Sequence, residues 1–472
     1  MESIKKNFIL NSTSSLLAVI VPIITTPYIS RILGPTFLGE YSYNYTVATY
    51  FTTFALLGLN NYGNRMIASI RENADELSKQ FWSIYGMQLI IGSTVTVIYL
   101  IYGFTVSRNL AFVFIPYVIS STFNINWFFY GMELFKLTVP RNILIKIITT
   151  VCVFVFVRES SDLWKYSLII SLGALISEIA LWPYLRNKVK FYCPSIKEMM
   201  GHLKPNIILF IPVLAVSLYK LMDKVMLGVM SSSDEVGYYE ASEKLIQIPN
   251  TLVVSLGTIM LPRMSNLFAN KDKSKINYYI ERSFIVSMLI SVPMSLGIMA
   301  IANELVPIFF GKGYEKCILL IQFILPSCIF VAFANVIRTQ YLIPNKMDKI
   351  YIKSVWLGAI VNLFFNLLFI PKYASVGAAI GTLLAEASVC LYQVVVIRKN
   401  IKLFSILKDV FFIVFSGIVM YFVVYNIKIF ENNSVYCMIV KVLIGIAIFC
   451  GFLGIHYLIV HFKKNKKKLS KC

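Results

Sequence analysis

The chain has 472 residues, 58% of them hydrophobic and 14% charged, with a formal net charge of +21. Together with a mean hydropathy of +0.73, this excludes a fold that sits in water, because so much apolar surface has no interior of its own to enter. The positive charge is spread over many short segments rather than gathered on one soluble face, which argues against a nucleic-acid partner.

Apolar stretches long enough to cross a hydrocarbon core of roughly 30 Å are predicted, in chain order, near 8–30, 42–61, 82–102, 110–130, 142–158, 164–185, 206–230, 237–262, 283–303, 316–341, 351–370, 375–397, 409–427 and 435–462. Backbone groups facing lipid must be satisfied within the segment or in a closed barrel, and runs this continuous lack the alternation of barrel strands. The predicted fold class is all-α, a polytopic membrane protein with about 14 transmembrane helices. The first stretch carries Lys5 and Lys6 as a signal peptide would. It is longer than such a segment and runs into Ser30-Arg31-Ile32-Leu33-Gly34-Pro35 without a clear cleavage site, so it is expected to be retained.

Of the 44 Lys and Arg residues, 29 lie in alternate gaps, Lys136 and Arg141 among them, together with 186–205, 263–282 and the tail Lys463–Lys471. The opposite gaps hold only 7. Cytoplasmic loops are enriched in Lys and Arg, so both termini are expected in the cytoplasm. Anionic membrane lipids are expected partners, each basic residue near an anionic leaflet contributing about 1 kcal/mol.

No enzymatic or metal motif emerges. Cys152, Cys328, Cys390 and Cys450 lie inside apolar stretches without the paired spacing of a disulfide or zinc framework. The histidines His202, His456 and His461 form no H-E-x-x-H, and no G-x-x-x-x-G-K-[ST] is present. No cofactor is expected. The class predicted is a secondary transporter of an anionic substrate, with a H+ or Na+ gradient as the candidate driving force.

The two halves repeat. Leu33-Gly34, Gly39, Gly58 and Arg65 recur as Leu227-Gly228, Gly237, Gly257 and Arg263, at offsets of 194, 198, 199 and 198. Lys146 matches Lys353, Lys165-Tyr166 matches Lys372-Tyr373, and Glu178 matches Glu386. Six spans separate partners, so the repeats run parallel. The expected organisation is an N-terminal lobe at 1–190, a C-terminal lobe at 191–400, and an appended pair of helices with a polybasic tail at 401–472. Spans one and seven correspond and carry Pro22, Pro27 and Pro212, which marks them as candidate moving, substrate-contacting helices. A packing kink is the competing reading.

A basic side chain at the bilayer centre costs about 2.5–3.5 kcal/mol on insertion scales, so it tends to face an interior, a cavity or a partner. Lys220 and Asp223 are three residues apart and Glu240 and Lys244 four, the spacings at which helical side chains pair. Lys224 shares Asp223 with Lys220. Lys146, Arg338 and Lys353 have no acid within four residues. They are candidate substrate-binding cations, although Lys146 and Lys353 could also snorkel to the headgroups. Asp223, Glu178 and Glu386 are candidate coupling-ion or ion-pair carboxylates, and Lys220 and Lys224 are further candidate substrate-binding cations, with a structural ion pair to Asp223 as the competing reading. Arg31, Arg65 and Arg263 lie near helix ends, where an interfacial anchor competes with substrate binding.

Several blocks carry a family resemblance. They are Ile24-Thr25-Thr26-Pro27-Tyr28-Ile29-Ser30-Arg31-Ile32-Leu33-Gly34-Pro35, Gly39-Glu40-Tyr41-Ser42, Leu57 to Arg65, Trp127 to Glu133, Phe310-Gly311-Lys312-Gly313-Tyr314 and Ile370 to Ala379. These resemble the Wzx-type flippases for lipid-linked oligosaccharides, in the polysaccharide-transport branch of the multidrug/oligosaccharidyl-lipid/polysaccharide exporter superfamily. Ala374 departs from the family's usual Tyr-Gly. The resemblance implies two six-helix lobes, alternating access, and movement of an undecaprenyl-pyrophosphate-linked sugar unit of O-antigen or capsule type across the bacterial cytoplasmic (inner) membrane. Polysaccharide polymerase machinery would be a partner. Arg31 and Arg65 match the family's arginines in the first block. The rival readings are a drug/cation antiporter of the same superfamily, which should favour carboxylates over lysines, and a membrane-embedded polymerase or ligase of lipid-linked sugars, which usually has a long external loop.

Overall fold

The computed structural model describes residues 2–106, 109–186, 188–398, 400–401, 403–427 and 435–469, and among them there is no strand. The helices form two compact units, Met1–Gly237 and Tyr238–Cys472.

The first unit holds α1 (Glu2–Leu56), α2 (Leu59–Ile70), α3 (Ala74–Val106), α4 (Asn109–Val113), α5 (Ile115–Phe123), α6 (Asn126–Gly131), α7 (Phe135–Phe156), α8 (Leu163–Ile179), α9 (Ile196–Gly201) and α10 (Leu203–Met230). At 1.5 Å per residue, the 55 residues of α1 extend for about 80 Å, more than twice the hydrocarbon thickness. Its non-helical residue is Gly34, with φ 70° and ψ 175°, a conformation that glycine adopts without steric penalty. Pro22 and Pro27, the candidate kinks of this span, lie earlier in the helix. The helix runs through both, and the bend falls at Gly34, the residue before Pro35, a position that proline disfavours for helical backbone.

The fourth predicted span is built from α4, α5 and α6 rather than one continuous helix. Pro116 sits in the first turn of α5, where its missing N–H leaves no helical bond unmade. The α3 face Val97, Ile98, Ile101 and Phe104 is exposed, as a lipid-facing stripe should be. Its opposite end packs Phe81 and Ile84 against Trp127, Phe128 and Phe129, all fully buried. There Trp127 Nε1 donates to Gln88 Oε1 at 3.0 Å. Gln88 Nε2 donates in turn to the carbonyls of Ser121 and Asn124 at 2.7 and 2.9 Å. The buried tryptophan N–H is thereby satisfied, which fixes its ring.

Helix α11 (Ser233–Ala269) leads into the second unit, followed by α12 (Lys273–Ala300), α13 (Ala302–Phe309), α14 (Lys316–Ile324), α15 (Ser327–Ile337), α16 (Asp348–Tyr373), α17 (Ser375–Ile397), α18 (Leu403–Asn426) and α19 (Val435–Leu469). A π-helical turn, Arg338–Leu342, follows α15. The hairpin of α16 and α17 turns at Ala374 (φ 50°). Its helices approach closely because Gly377 and Gly381 lack side chains: a Cβ there would lie 2.4 Å from the Phe369 carbonyl oxygen and 2.2 Å from Asn366 Oδ1.

Twelve helical stretches among the described residues are long and apolar enough to cross a membrane. Neither half of α1 is among the twelve, so the predicted count of about 14 is approximate, and the chain is an all-α, multi-pass membrane protein.

Candidate functional site

In the first unit, the prominent polar feature within the spans is a network across α6, α7 and α8. Arg141, expected in a loop, stands inside α7 with its side chain only 9% exposed. Its Nη1 donates to the Ser177 carbonyl at 2.6 Å, and its Nη2 donates to Asn126 Oδ1 at 3.0 Å and Asn142 Oδ1 at 2.7 Å. Glu178 Oε2 lies 3.8 Å from Arg141 Nη1 and accepts from Asn126 Nδ2 at 2.7 Å. The Asn126 amide thus donates to the acid and accepts from the base and so bridges the pair, while Arg141 Nε, also buried, has no hydrogen-bond partner among the described residues. Arg141 follows Pro140 in the first two turns of α7, so its place in the chain resembles a loop anchor. Only the neighbours from α6 and α8 make it an interior residue.

Of the other candidates in this unit, Asp223 and Lys224 are buried in α10 at 4% and 9% exposure, and both have polar partners. Lys220 is exposed. Among the described residues it forms no ion pair with Asp223, although three residues separate them. Lys146 is half-buried in α7 and takes part in a polar interaction. Arg31 is exposed on α1, again with a partner, and Arg65 is exposed on α2.

In the second unit, Lys244 Nζ is 2.8 Å from Glu240 Oε1, the pairing the four-residue spacing predicts. Arg338 occupies the first position of the π turn, an element found often at functional sites. Its Nη2 donates to Asn335 Oδ1 at 2.6 Å, and its guanidinium lies 5.7 Å from the Tyr351 ring centroid. Asn335 Nδ2 donates to the Val253 carbonyl of α11 at 3.1 Å. Arg338 is thus oriented by an amide and an aromatic ring, neither of which neutralises it. Arg263 stacks on Tyr279 and donates to its hydroxyl. Lys353 is exposed, and Glu386 is half-buried in α17 with a partner of its own.

One pair was not singled out beforehand. Lys441 of α19 donates to Glu304 Oε1 of α13 at 2.6 Å, with side-chain exposures of 7% and 8%. Lys441 is visible in the sequence as a lone cation in an apolar run, but its acid lies 137 residues away. Among the described residues, no three His, Cys, Asp or Glu side chains are placed to hold a metal ion.

Comparison with known proteins adds a consistent family signal. The sequence model of the family described as "Polysaccharide biosynthesis protein" matches residues 4–268, and that of "Lipid II flippase MurJ" matches residues 145–446. A candidate O-antigen transporter of Escherichia coli strain K12 is 23% identical over 81% of this chain and 93% of its own length. Lipid II flippase MurJ of Thermosipho africanus is 24% identical over 46% of this chain and 44% of its own. Among solved structures, an inward closed Lipid II flippase MurJ superimposes with a TM-score of 0.79 at 16% identity, covering 96% of this chain and 99% of that one. An inward-facing multidrug resistance MATE family transporter of the MOP superfamily gives 0.60 at 12%, covering 83% and 99%. At such identities the structural likeness speaks for the fold, and the family models, each spanning more than half of the chain, carry the assignment. The chain belongs to the polysaccharide biosynthesis protein family, and over residues 145–446 it also matches the lipid II flippase MurJ family.

Proposed function

We propose that the protein flips an undecaprenyl-pyrophosphate-linked oligosaccharide repeat unit, of O-antigen or capsule type, from the inner to the outer face of the bacterial cytoplasmic membrane. The observation that carries this reading is the coincidence of a polysaccharide-biosynthesis signal over residues 4–268 with a lipid II flippase signal over residues 145–446. Both support a lipid-linked sugar as cargo, which we take to be carried on a polyprenyl diphosphate. Cations held without acidic neutralisation, such as Arg338 on Asn335 and Arg263 on Tyr279, fit a diphosphate cargo.

In this reading the cargo moves by alternating access, driven by a H+ or Na+ gradient, with both termini in the cytoplasm. Lys220, Lys224, Lys146, Lys353, Arg31 and Arg65 contribute to the attraction of the headgroup, and a polysaccharide polymerase takes up the delivered unit. The experiment is deletion of the gene in its native cell, with the lipid-linked unit followed by membrane side. The reading predicts accumulation on the cytoplasmic face and loss of surface glycan. Unchanged surface glycan with no accumulated precursor would refute it.

A further inference from the structure

The turn from α11 to α12, inside the second unit, carries an aromatic arrangement that the sequence does not advertise. The Arg263 guanidinium lies 4.0 Å from the ring centroid of Tyr279 and donates from Nη2 to that tyrosine's hydroxyl. The Arg282 guanidinium lies 5.5 Å from the ring centroid of the preceding residue, Tyr278. The two rings meet edge to face, their centroids 5.4 Å apart at 75°. Both arginines are exposed, and among the described residues neither forms an ion pair with an acid. Of the nearby acids, Asp272 is engaged by Lys275 at 3.0 Å and Glu281 is exposed on α12. Lys271 and Lys273 add further exposed positive charge.

An aromatic face attracts a guanidinium through its quadrupole, by about 0.5–1 kcal/mol at an exposed site. A carboxylate would cancel the charge; a ring orients it and leaves it in place. Most of the five N–H donors stay available, in the fork that matches phosphate oxygens two at a time. The two guanidiniums, each over one of two rings whose centroids are 5.4 Å apart, present separate forks to phosphate oxygens.

The arrangement is particular to one half of the molecule. The offset of 198 residues that relates Arg65 to Arg263 sends Tyr278, Tyr279 and Arg282 to Gln80, Phe81 and Ile84. Phe81 and Ile84 are wholly buried in the α3 aromatic cluster. The same helical position therefore serves packing in one unit and the presentation of cations in the other.

We infer that Tyr278 and Tyr279 hold Arg282 and Arg263 as a two-guanidinium cradle for a phosphate-bearing lipid headgroup, and that its occupant is the diphosphate of the transported lipid. This rests on the function proposed above and assigns it a specific contact.

The test is native mass spectrometry of the full-length protein titrated with undecaprenyl diphosphate and, separately, with phosphatidylglycerol. Wild type should retain the diphosphate lipid. Arg263→Ala with Arg282→Ala should weaken it by about tenfold or more, since hydrogen bonds to charged groups contribute roughly 1.5–3 kcal/mol. Tyr278→Ala with Tyr279→Ala should weaken it about fivefold. Arg263→Lys with Arg282→Lys, which keeps charge and folding but loses the forks, should fall between wild type and the double alanine variant. Phosphatidylglycerol retention should be unchanged in all of them. Wild-type affinity for the diphosphate lipid in the double arginine variants would overturn the cradle. An equal loss of phosphatidylglycerol would overturn its occupant, making the cradle a leaflet anchor. A wild-type protein that retains no diphosphate lipid would overturn the proposed function itself, an outcome distinct from both.

Discussion

Lys441 Nζ lies 2.6 Å from Glu304 Oε1, and both side chains are withdrawn from the surface. Each charge would be costly in this apolar setting alone, and together they tie α19 to α13 within the second unit. Replacing one partner leaves the other uncompensated. Lys441→Met is predicted to destabilise the protein by about 3–5 kcal/mol, and Lys441→Met with Glu304→Leu to recover most of that loss. Thermal unfolding in detergent measures both. A single variant as stable as wild type would show that the pair contributes little.

The Arg141 network allows a sharper separation of roles. Glu178→Gln retains an oxygen that can accept from Asn126, whereas Arg141→Ala removes donors to Ser177, Asn126 and Asn142 at once. If the network is structural, Arg141→Ala lowers the melting temperature well below that of Glu178→Gln, and both retain gradient dependence in proportion to folded protein. If Glu178 carries the coupling ion, Glu178→Gln melts like wild type yet loses the response of transport to a H+ or Na+ gradient. We expect the first outcome, because Glu178 already has two partners in place.

Gly39 tests close packing in the first unit. A Cβ on Gly39 would lie 1.7 Å from the Ser233 carbonyl oxygen, and one on Gly237 would lie 2.0 Å from that of Pro35. Backbone atoms cannot swing aside as a flexible side chain can. Gly39→Ala is therefore predicted to cost about 1–3 kcal/mol, the range for overpacking, and Gly39→Val more. Melting temperatures and membrane yields of the two variants check this, and an Ala variant indistinguishable from wild type would contradict the close approach.

At the start of α12, Asp272 accepts the Lys275 backbone N–H at 3.1 Å as a helix cap. The hydrogen bond from the Lys275 ammonium, with that cap behind it, holds the Asp272 carboxyl below the usual carboxylate range. A folded-state pKa below the unfolded value stabilises above about pH 4, and the gain is lost as pH falls through the lowered folded value. Amide protection factors over residues 273–276, taken relative to the intrinsic exchange rate at each pH, should fall on acidification in wild type and change less in Asp272→Asn. Identical pH profiles would contradict the assignment.

The spans, their order and the all-α class were legible because lipid imposes one strong rule, about 20 apolar residues per crossing. Local pairing was legible too: Glu240 and Lys244 meet as their spacing requires. Partnerships set by tertiary packing were not. Glu304 and Lys441 are 137 residues apart, and Arg141 resembles a loop anchor until α6 and α8 close around it. Proline alone does not locate the bend of α1: the helix runs through Pro22 and Pro27 and breaks at Gly34, where a positive φ carries no steric penalty and Pro35 follows. The Tyr278 and Tyr279 rings were passed over since aromatic residues abound in this chain and only geometry separates the two that carry arginines.

The most direct measurement is flipping of a purified undecaprenyl-pyrophosphate-linked oligosaccharide by the reconstituted full-length chain, read as sugar accessible on the opposite face of the vesicle. The account predicts gradient-stimulated flipping by wild type, and its loss in Lys220→Ala, Lys224→Ala and Arg338→Ala variants that insert at normal levels. Full flipping with all three cations removed would contradict it.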